Sequence, residues 1–525
     1  MIRHRHNKNK LIQPLSSNTK NLLKKIKISM TKKKNRETID NYKIPSLLSK
    51  SFKHKKSNYK EIKETHKLKE THKLKETHKL KETHKLKDSE KKEESKHTKD
   101  TYISKLVDLY YDNDTVSKQY LNTAHKKLHI LPHQRRVVVF GDVHGDLEAT
   151  LDCFIIAKCI KKIELPRDKS VKNMNSFFKK LKWIGGDTYI VQLGDQIDRV
   201  RPQKWDHNDI TKDSAFNDEG TTLEILYLFY YLNELASKNE GRVFSIIGNH
   251  EIMNVEADFR YVSLKEFKCF KNHLIKTYKR NSKYPYSSNT LKNNSHKFKQ
   301  QKTKKRNKFY DIKDTHNNSH NDTNNDNDVF TQVPEGFRER LYAFSPTGIC
   351  ANLIGSNSYV LLQIGNWLFC HGSPVLETME TYTMDLVNNI VSMYLLGIDN
   401  KNKYIEQHYN NLTKTHNNSV LWNRAFGDTH IDNEKEKQLL TKLNIILNKY
   451  NNKNSVYNKA THIAIGHTTQ YSANKGINSI CNNRVWRCDV GMSRAFGNRE
   501  SGSNRSPQVL EILNNNGVEQ INILK

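Results

Sequence analysis

Two side chains suited to binding a metal ion follow a short apolar run, residues 137–140. Asp142 and His144 stand two positions apart, and residues with this spacing on an extended segment project to the same side. A carboxylate oxygen and an imidazole nitrogen can therefore converge on one point at the end of a strand. On its own this pair is weak evidence, because many such loop residues bind no ligand.

The same arrangement, an apolar run followed by a carboxylate, amide or imidazole, recurs four more times. The later groups are Asp195 with Asp198 and Arg199, Asn249 with His250 and Glu251, His371, and His467. In open α/β proteins, ligands bind beyond the carboxyl ends of the strands. Packing alone does not explain why polar, metal-ligating side chains follow five strand ends. Donors of this kind suit Mn, Fe or Zn and exclude a thiolate zinc site. A pair of metal ions needs a bridging ligand, for which a carboxylate is the natural group.

Hydrophobic periodicity predicts the elements that must position these side chains. Strands are expected at 137–140, 187–193, 242–247, 359–364, 367–370, 461–465 and 483–489, of which the last two would be the final core strands. Helices are expected at 147–162, 221–236, 376–396 and 433–449. Strands thus alternate with helices, which is typical of an α/β protein.

The residues of the polar motifs and their order resemble those of the calcineurin-like metallophosphoesterases, and within them the phosphoprotein phosphatase group. The motifs are GDVHG at 141–145, GDQIDR at 194–199, GNHE at 248–251, HG at 371–372 and GHT at 466–468. FCHGSP at 369–374 and DVGMSRAFG at 489–497 are most similar to the bacterial-type, Shewanella-like phosphatases. The resemblance covers about 135–500. It implies an α/β (α+β) metallophosphoesterase fold of four layers, a central β-sandwich flanked by helices.

The resemblance also implies a set of metal ligands. Asp142 and His144 would bind the first ion, Asp195 would bridge, and Asn249, His371 and His467 would bind the second. The implied cofactors are two divalent metal ions, of Mn, Fe or Zn, with manganese as the first to test. The ions would lower the pKa of a bridging water and supply hydroxide for in-line attack on phosphorus.

The same resemblance implies the residues that handle the substrate. His250 would donate a proton to the leaving oxygen, and Asp198 would be its partner, because a carboxylate beside an imidazole fixes its tautomer. Arg199 would hold the phosphate with its planar guanidinium. Arg424 is a second, weaker candidate for holding the phosphate, and Asn249 would also contact it.

Three residues qualify the resemblance without touching the ligand positions. Val200 stands where the phosphatases usually have glycine after Asp-Arg, and Ser373 stands where many have a second glycine. Both departures put an assignment to the eukaryotic serine/threonine phosphatases in doubt, but not the metal site. Glu251 resembles a structural residue of its motif and is left out of the catalytic set.

The positive charge of the chain is concentrated in two polar segments. The chain has a net charge of +32; residues 1–100 hold 31 Lys and Arg against 12 Asp and Glu, and 276–310 hold 12 Lys and Arg and no acid. We therefore expect a disordered, basic, low-complexity extension at 1–100 and a phosphoesterase domain at 101–525 with an inserted disordered loop at 276–330. Nucleic acid is not favoured as a partner, because no aromatic interleaving or known motif accompanies the charge.

Repeats, cysteines and hydropathy narrow the remaining possibilities. Four KETHKL hexads occupy 63–86, a period that gives neither an apolar helical stripe nor a spaced metal pair. The seven cysteines form no Cys-x-x-Cys motif and do not predict a disulfide framework. This pattern fits a reducing compartment. The sequence has no run of 18 apolar residues, so no membrane-spanning helix is expected. We expect an intracellular, cytoplasmic location.

The sequence therefore predicts a metal-dependent phosphatase that hydrolyses phosphate monoesters. A phosphorylated protein, of the serine/threonine or tyrosine type, is favoured over a small phosphate ester. The alternatives within enzymes are a dinucleoside polyphosphate hydrolase and a phosphodiesterase or nuclease. A metal-free binding module is the non-enzymatic alternative, and bound metal would separate it from the enzymes. The sequence leaves the oligomeric state open.

Overall fold

Two six-stranded β-sheets form the centre of the structure, which is a computed structural model of the chain. It describes residues 101–110, 113–123, 127–201, 218–278, 334–399, 402–414, 418–454, 458–497, 502–515 and 517–525. The expected extension at 1–100 lies outside the described residues, as does the expected insertion beyond residue 278.

The first sheet holds the strands that precede three of the polar motifs. In spatial order it contains β12 (Val518–Leu524), β11 (Val509–Asn515), β2 (Arg136–Phe140), β3 (Tyr189–Gln192), β4 (Arg242–Ile246) and β5 (Ser358–Tyr359). Strands β2 to β5 are parallel, and β11 runs antiparallel to β2. Phe140 pairs with Gln192 and Gln192 with Ser245, so the loops after β2, β3 and β4 leave the sheet side by side.

The second sheet holds the strands that precede the two histidine motifs. Its order is β1 (Ile130–Leu131), β6 (Leu361–Ile364), β7 (Trp367–Cys370), β8 (His462–Ile465), β10 (Val485–Arg487) and β9 (Asn478–Ile480). Strands β7 and β8 are parallel, with Cys370 opposite Ile465, so His371 and His467 follow neighbouring strand ends. One hydrophobic core includes Val138 of the first sheet and Leu368 of the second.

Helices pack against both sheets, which confirms the predicted α/β class. They are α1 (Tyr102–Tyr110), α2 (Asn113–Thr123), α3 (Leu147–Ile156), α4 (Val171–Lys180), α5 (Thr222–Ser237), α6 (Asn249–Val255), α7 (Leu264–Tyr278), α8 (Phe337–Phe344), α9 (Ile349–Asn357), α10 (Leu376–Thr381), α11 (Met384–Leu395), α12 (Lys403–Thr413) and α13 (Asn433–Asn454). Helix α5 contacts β4, and α11 contacts β6. Within the described part of the chain, no helix has the length and hydropathy that a membrane crossing requires.

Two predicted helices are wrong in extent. The helix expected at 147–162 ends at Ile156, because Lys158 adopts a left-handed φ of 54° and turns the chain. The helix expected at 376–396 is two helices, α10 and α11. Thr383 begins the second one by accepting a hydrogen bond from the Leu386 N–H at 3.3 Å, which interrupts the helix that periodicity alone predicts.

Two strand predictions are also wrong. The run expected as one strand at 359–364 divides between the sheets, with β5 in the first and β6 in the second. The Asn388 side chain accepts hydrogen bonds from the N–H groups of Val360 and Leu361, at 2.7 and 3.3 Å, and so replaces a strand partner at the break. The strand near 483–489 is not the last one, because β11 and β12 follow and extend the first sheet beyond β2.

A carboxyl group is buried between α1 and α5. Glu224 is 2% exposed, and its Oε1 atom accepts a hydrogen bond from the Tyr102 hydroxyl. Its other oxygen, Oε2, has no hydrogen-bond partner among the described residues. Burial raises the pKa of Glu224 to about 7, above that of an exposed glutamate. The folded protein therefore binds this proton more tightly than the unfolded chain does.

We expect Glu224→Gln to stabilise the protein at pH 8 and not at pH 4. The raised pKa of Glu224 means that its neutral form is fully accommodated below the unfolded pKa of about 4.5, and that stability is lost as the pH rises through about 7. The amide has no charge to bury, so the free energy of unfolding should exceed that of the wild type by about 2–3 kcal/mol at pH 8. Urea denaturation at both pH values measures the difference.

Glu234→Gln, on the exposed side of the same helix α5, is the matched control and should give equal differences at both pH values. A stabilisation by Glu224→Gln of the same size at pH 4 and pH 8 would show that the carboxyl proton is not its cause.

Candidate metal centre

The Asp195 carboxylate lies at the centre of the polar strand ends. It follows β3, is 2% exposed, and adopts a left-handed φ of 51° that turns its side chain back over the sheet edge. Its Oδ2 atom is 3.3 Å from the Nε2 atom of His371, and 3.9 Å from the Nε2 atoms of both His144 and His250. Its Oδ1 atom accepts a hydrogen bond from the His250 N–H at 3.0 Å.

Two glycines allow the loops after β3 and β4 to touch. Gly194 has a φ of 97°, and a Cβ atom on it would lie 2.8 Å from Gly248 Cα. A Cβ atom on Gly248 would lie 2.2 Å from Asp195 Oδ1, so a side chain there would displace the central carboxylate. Glu251 joins the two loops by accepting hydrogen bonds from the N–H groups of Gly248, Asp195 and Gln196 at 2.7, 3.1 and 2.9 Å.

One group of metal-ligating atoms lies on the side of the second sheet. Atoms of Asp195, His371 and His467 all lie within 4.8 Å of one another, and all three residues are buried. Asn249 joins them through its Oδ1 atom, 2.9 Å from His371 Nε2. His371 Nδ1 donates to the Leu193 carbonyl at 2.7 Å, which leaves Nε2 free to act as a ligand.

A second group lies on the side of the first sheet and shares Asp195. Atoms of His144, Asp195 and His250 lie within 4.8 Å of one another. Asp142 is adjacent, because its Oδ2 atom is 3.8 Å from His144 Nε2. The His467 N–H donates to both oxygens of Asp142, at 3.2 and 3.1 Å, and so connects the two groups. The structure thus brings all six expected metal ligands into one cluster around Asp195.

The carboxylates of this cluster have opposite pKa shifts. Burial favours a higher pKa for Asp195, but the surrounding imidazoles, first that of His371, hold it well below its usual value. Burial and the neighbouring carboxylates of Asp489 and Asp195 raise the pKa of Asp142 well above its usual value. Asp489 itself is 1% exposed, and burial raises its pKa to about 6. Three buried carboxyl groups therefore crowd one site, an arrangement that a divalent cation would stabilise.

The histidines of the cluster are of two kinds. Burial, reinforced by Arg201, holds the pKa of His144 well below its usual value. Burial and Arg424 have the same effect on His467. Burial opposes the protonation of His371, but Asp195 raises its pKa above the usual value. Neutral imidazoles are the form that binds metal, and burial thus prepares His144 and His467 for this role.

His250 and Asp198 form a pair at the edge of the cluster. His250 Nδ1 lies 2.8 Å from Asp198 Oδ2, which fixes the ring and leaves Nε2 facing the site. Asp198 is fully buried, and its other oxygen, Oδ1, accepts from Asn254 Nδ2 at 2.9 Å and from Arg340 Nη2 at 3.1 Å. The structure therefore brings together the two residues that the resemblance implies for proton donation.

Two neighbouring arginines, Arg199 and Arg201, differ in the groups that their guanidiniums contact. Arg199 is fully buried, and its Nη1 atom lies 3.5 Å from Asp146 and 3.9 Å from Glu219, away from the metal ligands. Arg201 reaches the cluster instead. Its Nη2 atom is 2.8 Å from His144 Nε2 and 3.3 Å from His250 Nε2.

Aromatic side chains support the guanidinium of Arg201. It lies over the rings of Tyr261 and Phe496, with its central carbon 5.1 and 5.4 Å from their centroids. Its Nη1 atom donates to the carbonyls of Asp198 and Val200 at 3.1 and 2.7 Å. These contacts place the guanidinium beside His144 and His250.

Arg424 lies at the other end of the cluster. Its Nη1 atom donates to the His467 carbonyl at 2.7 Å and to Thr468 Oγ1 at 3.2 Å, and it lines an open cavity of about 600 Å³. Apart from Ala425, the other lining residues are polar, and they include Thr429, Lys442, Thr468, Thr469 and Ser472. This cavity could hold the part of a substrate that lies beyond its phosphoryl group.

Sequence reasoning missed three residues of the site. Arg201 could have been suspected, because it repeats the arginine of its motif two positions later, the spacing that placed Asp142 with His144. Asp489 begins the motif at 489–497, but the sequence of this motif alone indicates no role for it. Arg340 had no signal in the sequence, because it lies on α8, far from every motif.

Comparisons with known proteins show which family and which relatives the chain matches. Residues 135–471 match the family described as Calcineurin-like phosphoesterase. Shewanella-like protein phosphatase 2 of Arabidopsis thaliana is 26% identical over 394 residues, which are 73% of this chain and 76% of that protein. Shewanella-like protein phosphatase 1 of Plasmodium berghei is 25% identical over 387 residues, 73% and 74% of the two chains. The solved cold-active protein-tyrosine phosphatase of a psychrophilic Shewanella species is 16% identical, with a TM-score of 0.40, and covers 76% of this chain and 82% of its own.

Proposed function

We propose that this chain, which belongs to the calcineurin-like phosphoesterase family as its motifs predicted, is a phosphatase that hydrolyses phosphate monoesters with the help of two divalent metal ions. Family membership makes it a hydrolase of phosphate esters. The ester class and the number of metal ions are the proposed part. The observation that carries the proposal is the placement of Asp195, a single carboxylate shared by two groups of buried ligand atoms.

The donor set fits two ions that share one ligand. Asp142 and His144 would hold the first ion, Asn249, His371 and His467 the second, and Asp195 would contact both. All of these donors are nitrogen or oxygen atoms, which suits Mn, Fe or Zn. When bound, the ions would activate a water molecule and neutralise charge on the phosphoryl oxygens.

The chain itself supplies the remaining groups for hydrolysis. Arg201 contacts His144 and His250 in this structure, and with an ion on His144 its guanidinium would instead bind phosphoryl oxygens. His250 Nε2 would give a proton to the leaving-group oxygen as the phosphorus–oxygen bond breaks, while Asp198 holds Nδ1. A phosphorylated protein is the favoured substrate, because the relatives are named as protein phosphatases and an open polar cavity adjoins the site.

We expect the full-length chain purified with manganese to hold about two ions, and to hydrolyse para-nitrophenyl phosphate and a phosphopeptide. Elemental analysis of Asp195→Asn should find fewer than one ion, because both groups lose their shared ligand. His371→Ala should retain the first ion only. A chelator should remove the activity and lower Tm, because ions that bind only the folded state stabilise it.

Asp428→Asn is the matched control, since this carboxylate is paired with Lys435 outside the cluster. It should leave the metal content unchanged. A wild-type chain that binds two ions but hydrolyses only dinucleoside polyphosphates or nucleic-acid diesters would contradict the monoesterase proposal. A chain that binds no metal under any condition would contradict the enzymatic proposal as a whole.

A further inference from the structure

We infer that Arg340 is a positioning residue for proton donation, which it serves by holding the Asp198 carboxylate behind His250. This inference rests on the proposed function, in which His250 protonates the leaving group. Arg340 lies on α8, and its Nη2 atom is 3.1 Å from Asp198 Oδ1. It is fully buried, so it can influence the reaction only through the residues that it contacts.

Each of the three nitrogen atoms of this guanidinium donates a hydrogen bond to a buried side chain. Its Nε atom donates to Asn254 Oδ1 at 2.8 Å, and its Nη1 atom donates to Thr222 Oγ1 at 3.3 Å. Thr222 in turn donates to Glu266 Oε1 at 2.8 Å. Because Asn254 also donates to Asp198 at 2.9 Å, the arginine holds the carboxylate both directly and through the amide.

Four phenyl rings fix the guanidinium from its sides. Its central carbon is 5.0 and 5.1 Å from the ring centroids of Phe344 and Phe270, and 5.9 Å from those of Phe259 and Phe267. These rings exclude water and favour a cation. They surround the guanidinium at the point where it contacts Asp198. The position of the carboxylate is therefore set by a rigid, positively charged partner.

The two oxygens of Asp198 have separate tasks. Oδ1 is occupied by Asn254 and Arg340, so Oδ2 alone faces His250 Nδ1, at 2.8 Å. A carboxylate free to rotate would offer either oxygen at variable distance and would orient the imidazole less well. The proton on Nε2 would then be aimed less accurately at the leaving oxygen. Removing Arg340 should therefore impair proton donation more than any other part of the reaction.

The test compares two substrates that differ in their need for a proton. Para-nitrophenolate leaves readily without protonation, whereas phenolate is a much poorer leaving group. We expect Arg340→Met in the full-length, manganese-loaded enzyme to lower kcat for phenyl phosphate about tenfold. The same variant should lower kcat for para-nitrophenyl phosphate less than about threefold. A merely structural role would lower both rates by the same factor.

Two further variants keep the test decisive if Arg340→Met folds poorly. Arg340→Lys keeps the charge but not the fork of donors, and should show the same leaving-group bias in weaker form. Adding Arg340→Met to His250→Asn should cause no further loss with phenyl phosphate, because the proton donor is already absent. Arg136→Met breaks a comparable internal pair, with Glu511 at 2.7 Å, and controls for general destabilisation.

The outcomes separate the two levels of the proposal. Equal losses with both substrates in Arg340→Met and Arg340→Lys would overturn the positioning role and leave the proposed function intact. A wild-type enzyme that hydrolyses neither monoester would overturn the proposed function first. A leaving-group bias that appears equally in Arg136→Met would attribute the effect to lost stability and also overturn the inference.

Discussion

Replacing His250 with asparagine is expected to lower kcat for a phosphopeptide by about 10²- to 10⁴-fold while the metal content stays at the wild-type level. The physical reason is the orientation of the ring. Nδ1 is held by Asp198 at 2.8 Å, so Nε2 faces the site, where it would give a proton to the leaving oxygen. Asparagine occupies similar space but has no group that can give up a proton near neutral pH. Steady-state kinetics and elemental analysis on the same preparation check both parts.

The metal measurement matters because His250 also lies near the ligands. Its Nε2 atom is 3.9 Å from Asp195 Oδ2, within the group formed with His144. A variant that loses an ion together with activity would make His250 a ligand and contradict its role as the acid. His408→Asn is the matched control: this histidine is hydrogen-bonded to Tyr382 at 2.7 Å, outside the cluster, and the change should leave kcat unaltered.

The ligand cluster could be predicted from the sequence because its residues directly follow the ends of strands. An apolar run, a glycine and a polar residue are local patterns, and parallel pairing brings their ends to a common edge. Register then decides which side chains meet: Phe140 lies opposite Gln192 in the first sheet, and Cys370 lies opposite Ile465 in the second. The hydrogen bond from His371 to Leu193 joins the two sheets, and periodicity does not predict it.

The strands at the edges of the sheets were harder to predict from the sequence, because contacts with residues far along the chain determine them. Strand β11 pairs with β2, and the Glu511 carboxylate meets Arg136 across 375 residues of sequence. Nothing near residue 511 signals that a sheet edge is available there. The break at Val360 depends in the same way on Asn388, a side chain of α11. Long-range partners also placed Arg340 behind Asp198, so no reading of single motifs could have found it.

The arginine pair is the most instructive case. The sequence Arg-Val-Arg, at 199–201, offers two guanidiniums, and the family motif favours the first. The Glu266 carboxylate accepts from the Arg199 N–H at 3.1 Å and holds that backbone away from the cluster. Asp146 then lies 3.5 Å from the Arg199 guanidinium. Only the folded arrangement of these acids makes Arg201 the guanidinium that faces the histidines.

Replacing Arg201 with methionine is therefore expected to lower kcat/KM for phosphate monoesters by about 10- to 100-fold, mostly through a higher KM. A charge-assisted hydrogen bond to phosphate contributes about 1.5–3 kcal/mol, which corresponds to this range. The free energy of unfolding should be measured as well, because the charge of Arg201 also interacts with the buried carboxylates of Asp195, Asp198 and Asp142. Inorganic phosphate should also inhibit the variant more weakly than the wild type. Kinetics with para-nitrophenyl phosphate, with and without added phosphate, measure both effects.

Arg199→Met is the matched comparison, and the opposite result is expected. Its guanidinium is fully buried near Asp146 and Glu219, so its loss leaves buried acidic charge without part of its compensation. The free energy of unfolding should fall by about 3–5 kcal/mol. The folded fraction should retain KM, since Arg199 is directed away from the ligands. If Arg199→Met raised KM and Arg201→Met did not, the motif would identify the phosphate-binding arginine correctly and the geometry would not. The two variants together thus decide whether Arg201, and not Arg199 of the family motif, binds the phosphate in this phosphatase.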